Sequence, residues 1–151
     1  MSTDQNILAP FKPFTLGEAA AITGIPFLSL DEMIRSGLLP LRTGDDGETT
    51  GLDVTGLFAA FVAAKWQAEG ADQHRLISLV NFVVDCGYEH LMREVAGGHS
   101  MPDLSSGMMV GTPKSRLGIA LNFYNLGGQF RRALEKAFPK RTTIVTPGEN
   151  N

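Results

Sequence analysis

Cys86 and His90 stand four residues apart, with Asp85 and Glu89 beside them, a spacing that sets two metal ligands on one helical face. Gly87 lies between them, no second ligand pair is evident, and His74 and His99 have no spacing that recruits them. A core thiol and a solvated histidine are the expectation, with no metal bound. Gly127-Gly128 lacks the preceding glycine pattern of a phosphate loop, so close packing of a helix on a sheet explains it better. No serine sits in a nucleophile elbow and no acid pair has motif context, so the chain reads as non-enzymatic and without a cofactor.

With catalysis set aside, charge is the next source of chemistry. The net charge of -3 divides unevenly: residues 1–113 hold 6 Lys/Arg against 14 Asp/Glu, while residues 114–151 hold 7 against 2. Those counts give -8 and +5. An acidic partner would therefore meet Lys114, Arg116, Arg131, Arg132, Lys136, Lys140 and Arg141 before any other part of the chain. A 43% hydrophobic and 19% charged composition over 151 residues belongs to a folded chain of one domain or two small modules. No uncharged apolar run is long enough to cross a bilayer, and Met1 to Pro10 lacks the features of a signal peptide, so a cytoplasmic location without membrane association is expected.

The elements that would carry these residues can be read from caps and periodicity. Thr15-Leu-Gly-Glu18 is a capping box that starts a short helix with Leu16, Ala19, Ala20 and Ile22 on its apolar face. Thr23-Gly24-Ile25-Pro26 ends it, and Phe27 to Ser36 forms a second helix with Leu30, Met33 and Ile34 inward and Gly37 at its end. Residues 42–51, rich in glycine and acid, read as a hairpin or loose loop. Asp53-Val54 then opens a third helix with Leu57, Phe58, Phe61, Val62 and Trp66 on one broad buried face. The expected core of this first unit is Leu16, Ala20, Ile22, Leu30, Ile34, Leu38, Leu57, Phe58 and Phe61.

Further on, Leu76 to Val84 is apolar on nearly every side and predicts a helix buried between other elements. Gly87 interrupts it before a second stripe of Tyr88, Leu91, Met92 and Val95. Residues 99–113 are irregular, with room for a short strand at Met108 to Val110. The alternation of Leu117, Ile119, Leu121 and Phe123 with Gly118, Ala120, Asn122 and Tyr124 predicts a strand. Asn125 then caps a helix whose stripe is Leu126, Phe130, Ala133, Leu134, Ala137 and Phe138. The predicted fold class is mostly α with a small β component. Residues 11–68 form one unit, 71–140 a small α+β unit, and 141–151 a tail.

Phe14-Thr-Leu-Gly-Glu-Ala-Ala, Thr23-Gly24-Ile25, Arg35-Ser-Gly-Leu-Leu-Pro40, the glycine-bearing loop and Asp53-Val54 with Leu57 together resemble the winged helix-turn-helix of the MerR, excisionase and phage-terminase small-subunit group. The likeness covers about residues 14–66. It implies that the second helix enters the major groove and that the hairpin wing reaches the adjacent backbone or minor groove. On this chain the implied DNA-binding residues are Thr15, Phe27, Leu28, Ser29 and Arg35 of the helix-turn-helix, with Arg42 and Thr43 of the wing.

The chain departs from that pattern where the family carries basic or aromatic residues: it has Asp31 and Glu32 on the second helix and about Glu48-Thr49 at the wing base. Residues 11–66 hold 4 Lys/Arg against 7 Asp/Glu, a local -3 that repels phosphate. Ser29-Leu-Asp-Glu32 reads as a further capping box that would occupy Glu32. The long dimerising helix of full MerR regulators is absent.

The resemblance implies a small bacterial or phage-type transcriptional regulator bound to duplex DNA. The alternative is a protein-interaction or phage assembly module that keeps the scaffold without reading DNA. A homodimer is expected through Tyr88 to Val95 with Met108 and Met109. Without DNA, the basic face would dock an acidic protein surface, such as the -8 part of a neighbouring copy.

Overall fold

A computed structural model describes residues 11–111 and 122–139 of the chain. In order, the elements are α1 (Leu16–Thr23), α2 (Phe27–Arg35), β1 (Arg42–Thr43), β2 (Thr50–Gly51), α3 (Val54–Ala68), α4 (Gln73–Cys86), α5 (Tyr88–Ala96), β3 (Met101–Asp103), β4 (Met108–Val110) and α6 (Phe123–Ala137). The architecture is mostly α with two small antiparallel hairpins, β1-β2 and β3-β4.

Local chemistry sets the first elements. The Thr15 hydroxyl accepts from the Glu18 amide at 3.1 Å while the Glu18 carboxylate accepts from the Thr15 amide at 2.9 Å, so the capping box forms as its sequence requires. At the other end of α1, Gly24 takes φ +79, a left-handed conformation that glycine reaches without a Cβ clash, and its amide donates to Ala20. Pro26 follows as the first turn of α2 begins. The second capping box does not form. Helix α2 starts at Phe27 with Pro26 as N-cap and no side-chain cap, which leaves Ser29 inside the first turn. Proline's fixed φ and missing donor make it an acceptable helix entry, so the hydroxyl three residues later is not needed.

The acidic loop is a hairpin with Arg42 opposite Gly51 and Thr43 opposite Thr50. Phe14 bridges to Leu52 by two backbone hydrogen bonds of 2.8 Å, tying the chain before α1 to the base of the hairpin. Gly51 permits that approach: a Cβ there would lie 2.7 Å from the Phe14 carbonyl carbon and closer still to its oxygen.

Helix α3 is the centre of the molecule. Every residue from Gly56 to Ala63 is buried, because alanines occupy the side that a surface helix would give to polar residues. It packs against α1, α4, α5 and α6. Phe58 meets Tyr88, Phe123 and Phe130 edge-on at ring separations of 5.1, 5.6 and 5.1 Å. The Thr55 hydroxyl accepts from the Tyr88 amide at 2.9 Å, and Phe138 beyond α6 reaches Phe14 at 6.5 Å. One hydrophobic cluster therefore runs from Phe14 to Leu134, without a seam between residues 11–68 and the elements that follow.

Within that cluster Ile22, Leu30, Leu57, Phe58 and Phe61 are buried, whereas Leu16, Ala20, Ile34 and Leu38 are partly buried against it. Phe14, Leu39 and Leu52 belong to it as well. Helix α4 is buried at Leu76, Leu79, Val80, Phe82 and Val83 but turns Ile77 and Asn81 outward, so it lies at the surface of the core. The strand at Met108 to Val110 is present and pairs with Met101–Asp103.

Two expectations for the second half change. The alternating segment falls mostly on residues 112–121, outside the described residues, but its last members, Phe123 and Tyr124, are helical. Helix α6 is capped by Asn122, whose side chain accepts from the amides of Tyr124 and Asn125, so Asn125 is not the cap. Capping is decided by which side chain reaches the free amides, and Asn122 already fills that role one turn earlier. Gly127 packs against Met92 of α5 rather than against a sheet.

Candidate interaction surface

The residues singled out from the sequence fall on three parts of the surface. Thr15 is exposed at the start of α1, with its hydroxyl engaged by the Glu18 amide. The first turn of α2 presents Phe27, Leu28 and Ser29 together, with Phe27 51% and Leu28 77% exposed. One turn on lie Asp31 and Glu32, and then Arg35, on the same side of the helix.

Both arginines of this region are exposed, and each is paired with a carboxylate. Arg35 Nε lies 2.8 Å from Asp31 on the preceding turn. Arg42 of β1 lies 2.7 Å from Asp53 and its guanidinium sits over the Phe11 ring at 5.3 Å from the centroid. Asp53 is at the same time the N-cap of α3, accepting from the Gly56 amide at 2.9 Å. The i, i+4 pairing of Arg35 is legible in sequence, whereas the Arg42–Asp53 pair spans 11 positions and required the hairpin to form. Thr43 is exposed on β1. The outer face of α2 is thus apolar at its first turn and acidic at its second.

The turn of the β1-β2 hairpin is built around Asp46. Its carboxylate accepts from the Thr49 hydroxyl at 2.6 Å and from the Glu48 and Thr49 amides at 2.8 and 2.9 Å. These donors, the hydroxyl first, lower its pKa to about 2. A depressed carboxylate adds stability above its unfolded pKa and loses it as pH falls through the folded value. The Thr49 amide resonance is therefore expected to titrate with a midpoint near 2, and a midpoint at the ordinary aspartate value would rule out this turn in solution.

Of the basic group, Arg131 is half-buried while Arg132 and Lys136 are exposed on the outer side of α6. Lys114, Arg116, Lys140 and Arg141 lie outside the described residues. Tyr124, expected in a strand, is instead 69% exposed on the first turn of α6. The stripe proposed for dimerisation is largely consumed by the core. Tyr88, Leu91 and Met109 are buried, and Met92 and Val95 pack against the cluster, which leaves Met108 as the exposed member. Its apolar period was real, but α3 and α6 cover it.

Cys86 and His90 line an open depression between α3 and the α4–α5 junction with Val54, Thr55, Glu89 and Arg93. Burial raises the Cys86 pKa, with Asp85 and Glu94 adding to it, which opposes thiolate formation. Among the described residues no group of three or more His, Cys, Asp or Glu is placed to hold a metal ion. No described helix is long and apolar enough to cross a membrane. Comparison of the chain with family models, curated proteins and solved structures finds no match in any of the three.

Proposed function

We propose that residues 11–68 use a winged helix-turn-helix type of scaffold to dock protein, with the outer face of α2 as the contact. One observation carries this reading: Phe27 and Leu28 are exposed side by side above Asp31 and Glu32, while both arginines of the region are held by carboxylates. Large exposed apolar side chains flanked by charge mark association sites, and covering such a residue contributes about 1.5–3 kcal/mol. A groove-reading helix needs the opposite arrangement, since phosphate neutralisation supplies much of DNA affinity. The protein is accordingly a non-enzymatic interaction or assembly module.

DNA binding is the second reading, and the element order favours it: helix, tight turn, helix, hairpin, helix, with Phe27, Leu28 and Ser29 outward on the second helix. Exposed ion pairs are worth only about 0.2–1 kcal/mol, so a phosphate would displace Asp31 or Asp53 at small cost. Titration of generic duplex DNA at about 50 mM salt separates the two. The docking reading expects no saturable binding. Binding that weakens steeply with salt and is lost when Arg35 and Arg42 are changed to alanine would replace it with the DNA reading.

A further inference from the structure

Helix α6 bears an outward stripe complementary to that of α2. Tyr124, Gly128, Arg132 and Lys136 follow one another at intervals of four, a row that winds gradually around the helix and keeps each residue beside the next. Tyr124 is 69% exposed, Arg132 and Lys136 are exposed, and neither cation has an ion-pair partner among the described residues. The Arg132 guanidinium lies back over Gly128, toward Tyr124, because long helical side chains point to the N-terminus of their helix. The stripe is therefore aromatic at its N-terminal end and cationic beyond, with the Arg132 guanidinium covering the glycine between.

The α2 stripe has the same polarity of layout with the opposite charge. Leu28 and Phe27 occupy the N-terminal turn, and Glu32 follows Leu28 by four residues, a rise of about 6 Å. Laid side by side in parallel, the apolar turn of α2 meets Tyr124 while Glu32, one turn on, meets the Arg132 guanidinium held back over Gly128; Asp31 stays paired with Arg35. We infer that the occupant of the α2 face is a second copy of this chain, which presents the outer stripe of its α6. Both stripes lie on helices that pack against α1 of the same molecule. Two copies exchanging them reciprocally close as a two-fold dimer, so the assembly is finite.

Charge complementarity across the whole chain agrees, since the acidic excess lies in residues 1–113 and the basic excess in 114–151. The inference rests on the reading of α2 as a protein-docking face.

The test is sedimentation of the full chain with Glu32→Arg, Arg132→Glu and the two combined, after circular dichroism has established that each is folded. Both sites are exposed, so folding is expected to survive. The wild type is expected to dimerise reversibly and more weakly as salt rises. Each single reversal is expected to raise the dissociation constant about tenfold or more, and the combination to recover most of that loss. Recovery in the double variant is the result that a general loss of stability would not produce. A monomer up to about 100 µM overturns the second copy as occupant and leaves α2 docking on a different protein. A dimer indifferent to both reversals also overturns it. Salt-dependent duplex binding that needs Arg35 and Arg42 instead removes the reading beneath it.

Discussion

Replacing Phe58 by alanine is expected to destabilise the protein by about 3–5 kcal/mol and to do so throughout the chain. Phe58 is fully buried on α3, and three of its neighbours, Tyr88, Phe123 and Phe130, come from α5 and α6. Truncation leaves a cavity lined by aromatic rings that are locked against one another: Tyr88 and Phe130 are 5.6 Å apart, and Phe61 and Phe130 5.3 Å. Rings so constrained collapse poorly into a void, which puts the loss toward the upper end. Native domains hold only about 5–15 kcal/mol in total, so a substantial part of the stability is at stake.

The experiment is urea denaturation followed by Trp66 fluorescence and by far-ultraviolet circular dichroism. Trp66 is the only tryptophan and lies on α3. Both signals are expected to move to the same lower midpoint, because the cluster that loses Phe58 is continuous. Two separated transitions, of which only one shifts, would contradict a shared core.

Gly51→Ala is expected to cost about 3 kcal/mol or more, at or beyond the usual upper end for overpacking. The added methyl would collide with the Phe14 carbonyl, and a backbone atom cannot rotate away as a side chain can. Relief requires breaking the Phe14–Leu52 bridge, which exposes two backbone hydrogen bonds and the buried rings and side chains they hold in place. Gly127→Ala provides the contrast. Its Cβ would meet the Sδ of Met92 at 3.0 Å, the far end of a flexible side chain, and alanine gains about 1 kcal/mol in helix propensity. A near-neutral result is expected at 127. Equal midpoints for the two variants would show that the Phe14–Leu52 approach does not persist in solution.

What was legible in the sequence was local. The capping box at Thr15 and Glu18, the glycine and proline between α1 and α2, the Asp53 cap and the 3.6-residue period of α3 each act within a few residues. They located the first three helices nearly to the residue. The hairpin was legible as a turn-rich acidic stretch, and Met108–Val110 as a strand. Local signals failed where two of them competed. Ser29-Leu-Asp-Glu32 has the form of a capping box, but Pro26 had already begun the helix. Asn125 is a fair cap, but Asn122 reaches the amides first and draws Phe123 and Tyr124 out of a strand pattern into α6.

Tertiary structure decided what depends on residues far apart. Alternation or helical period identifies an apolar stripe but does not say what covers it, and the stripe Tyr88 to Val95 is covered by this chain's own α3 and α6. The same limit applies to charge. The -3 of residues 11–66 was countable, yet only the folded hairpin brought Arg42 to Asp53 and paired the two charges. Burial and pairing are properties of neighbours in space. The sequence by itself therefore determined where the helices begin and which residues are apolar or charged, and three-dimensional packing around α3 determined which of them remain available to a partner.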